Sequence, residues 1–178
     1  MTTATVKKTG KPSKKQLTSN VTAAEFGRVF FTVVMEPQGW ARAGIATKDR
    51  QGRRLRVPRV YTQPEDERAR RFIRRIARPF MPTTPLTGPV KLSVMAMFKM
   101  PDDWSDAEKE KMDGEWYTEK PDDDNIGKLI RDALNGLLYV DDRQVCGGGG
   151  VEKVWTRGES GVMIMAWSLG KRIRDLDC

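Results

Sequence analysis

Five aspartates mark the two ends of one short stretch of the chain. Asp122, Asp123 and Asp124 stand in a row, and Asp141 and Asp142 follow 17 and 18 residues after Asp124. Crowded carboxylates raise one another's pKa values, and a divalent cation among them removes that conflict. Oxygen ligands without histidine or thiolate favour Mg²⁺, for which Mn²⁺ can substitute. Such a cation activates water and stabilises the leaving oxygen in phosphodiester hydrolysis.

An amphipathic helix is predicted between the two groups of aspartates. A helix over Asn125–Leu138 gathers the aliphatic residues on one face and places Asp124, Lys128 and Asp132 along the opposite side. Lys128, one turn after Asp124, would contact a phosphate or neutralise charge that develops on it. The helix is about 20 Å long, so the two groups meet only if the chain runs back after Asn135-Gly136. The alternative is an acidic helix start and an acidic turn without a metal.

The composition excludes several other kinds of site. The chain contains no histidine, which excludes Ser-His-Asp triads, Cys-His pairs and histidine-ligated zinc. It has no GxxxxGK[ST] phosphate-binding loop, and an EF-hand loop that begins at Asp122 would have Ala133 in place of its glutamate. Two distant cysteines, Cys146 and Cys178, predict a reducing, cytoplasmic location. No apolar run is long enough to predict a membrane span.

Charge is distributed unevenly along the chain, whose net charge is +8. Residues 100–142 contain 14 acidic and 5 basic residues, and the rest of the chain contains 10 acidic and 27 basic residues. A strongly basic body favours a polyanionic partner such as nucleic acid. An acidic segment within it favours a divalent cation close to that partner. The alternative, an acidic loop that only improves solubility, carries equal weight on charge alone.

A second helix, rich in arginine, is predicted after residue 62. Thr62-Gln63-Pro64-Glu65 matches a helix start with a capping box and an early proline. Apolar residues recur behind it at helical spacing, and six arginines between residues 68 and 78 occupy the opposite face. The candidate contacts to DNA among them are Arg71, Arg74, Arg75 and Arg78. The alternative is a solvated face that the acidic residues of the first turn partly neutralise.

The remaining pattern predicts one α+β domain with a mostly antiparallel sheet and two main helices. Strands are expected at Arg28–Met35 and Val90–Phe98, and a hairpin or long loop in the arginine-rich segment 40–60. A second hairpin is expected over 151–169, after a flexible turn at Gly147–Gly150.

The predicted domain spans residues 23–178. It follows a basic tail at 1–22, whose five lysines and few large apolar groups predict disorder. A charged insert at 101–119 interrupts the domain.

The acidic stretch resembles the RusA family of Holliday junction resolvases. The resemblance rests on KPDDDN at 120–125, Lys128, DALNG at 132–136 and DDRQV at 141–145, in the order and spacing of the family's motifs. It implies a small homodimeric α+β endonuclease that depends on Mg²⁺ or Mn²⁺. It also implies that this enzyme cuts four-way DNA junctions by paired symmetric nicks, and it makes a phage-derived source plausible.

The resemblance also implies roles for individual residues. Asp122, Asp124 and Asp142 would be the acidic catalytic residues that hold the metal, and Asp141 beside them would also belong to the metal site. Lys128 would be the catalytic lysine. Two other functions remain open. A non-catalytic protein that binds branched DNA would not need these aspartates, and a Mg²⁺-dependent enzyme acting on nucleotides would not need the arginine-rich helix.

Overall fold

The fold combines a five-stranded mixed sheet with helices on one face and a separate two-stranded ribbon. The computed structural model describes residues 28–41 and 44–169, so the predicted tail at 1–22 lies outside the described residues. The strands are β1 (Arg28–Val34), β2 (Gly44–Lys48), β3 (Arg54–Tyr61), β4 (Val90–Lys99), β5 (Val145–Gly147), β6 (Val151–Thr156) and β7 (Gly161–Ser168). The α-helices are α1 (Pro64–Ala77), α2 (Asp106–Met112) and α3 (Asp123–Leu134).

The main sheet places β4 at its centre. The order β1-β7-β4 is antiparallel throughout, and β5 and β6 both pair with the other edge of β4 in parallel. This arrangement confirms the predicted α+β class. The predicted hairpin over 151–169 is wrong, because β4 lies between β6 and β7. The four residues 157–160 can span the two strand spacings, of about 4.8 Å each, that separate β6 from β7.

The core lies between α1, α3 and one face of this sheet. The strand register aligns buried residues in rows across β1, β7 and β4, because alternate side chains of a strand share a face. The rows are Val29–Ala166–Leu92, Phe31–Ile164–Val94 and Val33–Val162–Ala96. The buried stripes of both helices, which include Ile73 and Ile130, cover these rows.

The four consecutive glycines separate β5 from β6 along the edge of β4. Gly148 has a φ of +116°, and a Cβ there would collide with the carbonyl oxygen of Leu92. Glycine is therefore needed because the backbone passes close beside β4, which differs from the flexible turn predicted for this segment.

The charged insert packs against the exposed edge of β6. The amides of Gly114 and Tyr117 donate to the carbonyls of Trp155 and Lys153, at 3.1 and 2.9 Å. The ring of Tyr117 stacks on Phe98 with centroids 3.7 Å apart. The insert thereby covers an edge strand that would otherwise expose unpaired backbone groups. Among the residues described, no helix is long and apolar enough to cross a membrane.

Candidate functional site

The three consecutive aspartates begin α3. Asp122 is the residue that precedes the first helical turn, and Asp123 and Asp124 lie within that turn. All three are exposed, and none forms an ion pair within residues 28–41 and 44–169. The Asp122 side chain accepts no capping hydrogen bond, and one oxygen of Asp124 accepts from the Asn125 amide at 2.8 Å. Most of this negative charge is therefore available to a ligand.

The middle carboxylate of the three lies against a different part of the molecule. A Cβ added to Gly150 would come within 2.8 Å of Asp123 Oδ2, so this oxygen lies against the glycine-rich segment. Asp123 lines a cleft there with Trp116, Tyr117 and Lys153. The three aspartates are therefore not equivalent.

The two later aspartates are held in different ways. Asp141 caps a short 3₁₀ turn, because its carboxylate accepts from the Arg143 amide at 3.0 Å and its own amide donates to Gln144 Oε1 at 2.9 Å. Gln144 in turn donates to the carbonyls of Leu86 and Gly88, both at 2.8 Å. Asp142 is exposed, and its carboxylate has neither a hydrogen bond nor an ion pair within the described chain.

The charge of Asp142 acts on the third turn of α3. Burial raises the pKa of Asp132, Lys128 opposes this rise, and the negative charge of Asp142 adds to it. Burial also raises the pKa of Tyr139 well above its ordinary value, again with a contribution from Asp142. The chain turns back after α3, because the Tyr139 hydroxyl donates to the Arg131 carbonyl at 2.9 Å and the turn that begins at Asp142 packs against the helix. The Asn135-Gly136 stop makes this return feasible. The helix itself ends at Leu134, four residues earlier than the predicted Leu138.

A complete metal-binding cluster is not assembled among the described residues. No three Asp, Glu or Cys side chains of residues 28–41 and 44–169 converge closely enough to hold a metal ion. The prediction that Asp122, Asp124 and Asp142 share one ion therefore stays a prediction. Their donor chemistry fits Mg²⁺ or Mn²⁺, because exposed, unpaired carboxylates are the ligands that these ions prefer.

The loop after β1 forms the second wall of this site. The amide of Trp40 donates to the Asn125 carbonyl at 2.9 Å, and the Lys128 ammonium lies 5.7 Å from the centre of the Trp40 ring. The loop approaches α3 closely at Gly39, where a Cβ would lie 3.0 Å from the Cβ atoms of Pro121 and Asn125. The loop thereby places an aromatic ring beside the lysine predicted to be catalytic.

A buried aspartate on α1 anchors this loop. Asp66 is 3% exposed, and its two oxygens accept from the Ala41 amide at 3.1 and 3.3 Å. In the alternative of a solvated arginine face, Asp66 is one of the first-turn acidic residues that neutralise the arginines. Its spacing carries a different signal, because Asp66 precedes Ala69 by three residues and Ile73 by seven and so falls on the apolar stripe.

A groove of about 570 Å³ connects this loop with α1 and α3. Its lining residues are Trp40, Thr62, Arg70, Arg74, Asp132 and Asn135. Arg70 donates to Glu67 at 3.0 Å through one terminal nitrogen, and its buried Nε has no partner within the described residues. The groove therefore combines arginines with the polar side of α3.

The four arginines predicted to contact DNA line a second groove, of about 270 Å³, together with Leu137. Arg74 is also part of the fold, because its Nη1 donates to the carbonyls of Ala133 and Asn135 at 2.8 and 2.6 Å. These bonds satisfy carbonyl groups at the C-terminal end of α3. Arg75 lies over the Phe72 ring, 5.1 Å from its centre. Contact of these arginines with DNA stays a prediction.

The fold and site define a basic α+β protein with unpaired carboxylates around a lysine, and comparison with known proteins identifies its family. Residues 35–165 match the family of the endodeoxyribonuclease RusA. Over 122 residues the chain is 36% identical to the uncharacterized protein YqaN of Bacillus subtilis (strain 168), covering 65% of this chain and 80% of that protein. The chain belongs to the RusA endodeoxyribonuclease family, which confirms the predicted resemblance and makes DNA its partner.

Proposed function

We propose that this protein resolves Holliday junctions by metal-dependent hydrolysis of phosphodiester bonds. The observation that carries the proposal is the polar side of α3. There the unpaired Asp122 and Asp124 precede Lys128, and the turn that begins at Asp142 packs against the same helix. Unpaired carboxylates beside an exposed lysine suit a cation and a phosphate better than they suit a solvated surface.

Each residue of the proposed site would have its own role in the reaction. Asp122, Asp124 and Asp142 would hold Mg²⁺, or Mn²⁺ in its place, and Asp141 would fix the turn that presents Asp142. When bound, the cation lowers the pKa of a water ligand and stabilises the leaving oxygen. Lys128 would contact the scissile phosphate and neutralise charge that develops on it. Trp40 would hold the lysine side chain in position from the neighbouring loop.

The substrate would be a four-way or otherwise branched DNA, cut by a homodimer. Two identical active sites related by a two-fold axis can nick opposing strands of a symmetric branch, which accounts for paired, symmetric cuts. Basic side chains would hold the branch mainly through its phosphates and its shape. A cytoplasmic location, where such DNA would be met, remains part of this proposal.

The test is cleavage of a labelled four-way junction compared with linear duplex of the same sequence. Each substrate is incubated with Mg²⁺, with Mn²⁺ or with EDTA. We expect paired nicks in the junction that require the cation, and little cutting of the duplex. Asp124→Asn should abolish these nicks and leave junction binding intact.

Asp123→Asn is the matched control, because it removes the same charge from the same helical turn. Its carboxylate lies against Gly150 in the cleft lined by Trp116 and Tyr117, so this variant should cleave normally. Equal loss in both variants would contradict the proposed ligand roles and point to the charge of the helix start. Tight junction binding without nicks, unchanged by Asp124→Asn, would favour a non-catalytic protein that binds branched DNA.

A further inference from the structure

A two-stranded ribbon projects from the fold without support from the main sheet. Strands β2 and β3 pair only with each other, and we call residues 44–61, which they enclose, the arm. Most of the arm's side chains are exposed on both faces, among them Val57 and Val60 at 71% and 73%. A ribbon of two strands is marginally stable in water, so an arm of this kind is expected to gain order from a partner.

The charge of the arm indicates the chemistry of that partner. The arm contains six basic residues and one acidic residue, Asp49. Asp49 is already engaged in the turn, where it accepts from the amide and the Nε of Arg53, at 2.9 and 2.8 Å. The other five cations have no carboxylate partner among the described residues. They are Lys48, Arg50, Arg54, Arg56 and Arg59.

The strand register adds a second sign of an anionic partner. Lys48 stands directly opposite Arg54 across the two strands. Like charges in such cross-strand pairs destabilise a ribbon, and an anion bound between them removes the repulsion. A second copy of the arm would add further positive charge, so a polyanion complements this surface better than self-association does.

The arm begins and ends at the candidate site. The chain enters it shortly after Trp40 and leaves it just before Thr62, and both residues line the groove that also contains Asp132. The eight residues of β3 extend for about 26 Å, which equals the rise of roughly eight base pairs. An arm of this length can follow a duplex away from a phosphate bound at the groove.

We infer that the arm is a DNA-binding element that lies along one duplex branch of the substrate and contacts its phosphates. This inference rests on the proposed function, since it assumes that branched DNA occupies the neighbouring groove. It assigns DNA contacts to a segment that is separate from the arginines of α1. The arm contributes to the affinity for the substrate, and catalysis of the hydrolysis is assigned to residues of α3.

The test compares two variants that lose the same charge at different places. Arg54→Gln with Arg56→Gln alters the arm, and Lys109→Gln with Lys111→Gln alters α2 in the insert. Affinity for a four-way junction is measured in EDTA over a series of salt concentrations. Each phosphate contact that is lost reduces the salt dependence, the slope of log K against log salt, by about 1.

We expect the arm variant to lose about two units of that slope and about 10- to 100-fold in affinity near 0.1 M salt. The α2 variant should match the wild-type protein. Equal changes in both variants, or no change in the arm variant, would overturn the inference. Circular dichroism and thermal unfolding of both variants establish that the fold is retained.

Two further measurements distinguish a failure of the inference about the arm from a failure of the proposed function. Sedimentation of the arm variant at the same protein concentration tests self-association, and loss of a dimer there would overturn the inference in favour of a surface between two copies. The cleavage rate at saturating junction should be unchanged in the arm variant. If the wild-type protein binds the junction but never cuts it, the proposed function fails, whereas the arm is still judged by the salt slope.

Discussion

Helices α1 and α3 pack against each other and carry opposite charge, yet their charged side chains are engaged differently. On α1, Arg68 and Arg70 pair with glutamates of the same helix, and Arg74 bonds carbonyls at the end of α3. On α3, the aspartates at the helix start have no cationic partner within the described residues. Several charged side chains of α1 are engaged within the fold, whereas the aspartates at the start of α3 have no ion pair there.

This difference separates charge that builds the molecule from charge that is available to a ligand. An arginine that already donates within the fold has fewer N–H groups left for a phosphate. An unsatisfied carboxylate cluster keeps its electrostatic cost until a cation arrives. Some arginines of helix α1 are therefore structural, because they bond other groups of the fold.

The largest effect on the cleavage rate is expected in a comparison of Asp142 with Asp141. Asp142→Asn should reduce the cleavage rate by about 10²- to 10³-fold, because it removes an unpaired charge at the site. Asp141→Ala should lower the free energy of unfolding by about 1 kcal/mol through its lost cap, with cleavage largely retained. Single-turnover cleavage and urea unfolding of both variants measure these changes. If Asp141→Ala keeps its stability and loses cleavage, Asp141 is a metal ligand.

Removal of the lysine should come next in size. Lys128→Ala is expected to slow cleavage by about 10²-fold, since the ammonium no longer stabilises charge on the phosphate. Binding of the junction and of the metal ion should persist, because Lys128 is exposed and makes no hydrogen bond in the described fold. Mn²⁺ titration and a junction-binding assay provide the controls. An unfolded variant would count against a role in the chemistry.

Stability measurements can distinguish structural from freely available arginines in α1 and in the turn that follows it. Arg74→Ala should reduce the free energy of unfolding by about 2 kcal/mol, because it leaves two carbonyl oxygens at the end of α3 without their donor. Arg78→Ala, at an exposed position of the same groove, should change stability by less than about 0.5 kcal/mol. Urea unfolding of both variants measures this difference. Equal stability would mean that Arg74 is as free for DNA as its neighbour.

The smallest of these effects is expected at the anchor of the Trp40 loop. Asp66→Asn keeps an acceptor for the Ala41 amide but removes the charge that strengthens the bond, so we expect a loss of about 1 kcal/mol. Cleavage should fall with it, because the loop carries Trp40 to Lys128. Glu65→Gln, on the exposed side of the same turn, is the control and should change neither property. If Asp66→Asn lowers stability but leaves cleavage unchanged, the Trp40 loop has no role in the cleavage reaction.

Local patterns of the sequence were sufficient to predict the class of fold, both main helices and the family. Periodic apolar residues specify α1 and α3, strict alternation specifies β4, and several motifs at fixed spacing specify the family. The pairing of β6 was predicted incorrectly, because a short turn between two strands is also compatible with a third strand placed between them.

Only the tertiary structure decided how equivalent-looking charges are used. Asp123 and Asp124 are neighbours in the sequence, yet the carboxylate of Asp123 lies against Gly150 and that of Asp124 bonds the Asn125 amide at the helix start. Asp141 and Asp142 are also neighbours, yet Asp141 caps a turn and the carboxylate of Asp142 has no bond within the described residues. Asp66 and Ala41 are 25 residues apart, and their contact exists only after the loop has closed onto α1. The physical reason is that sequence spacing sets the direction of a side chain along its own element. The group that this side chain contacts depends on which other segment of the chain folds back against the element.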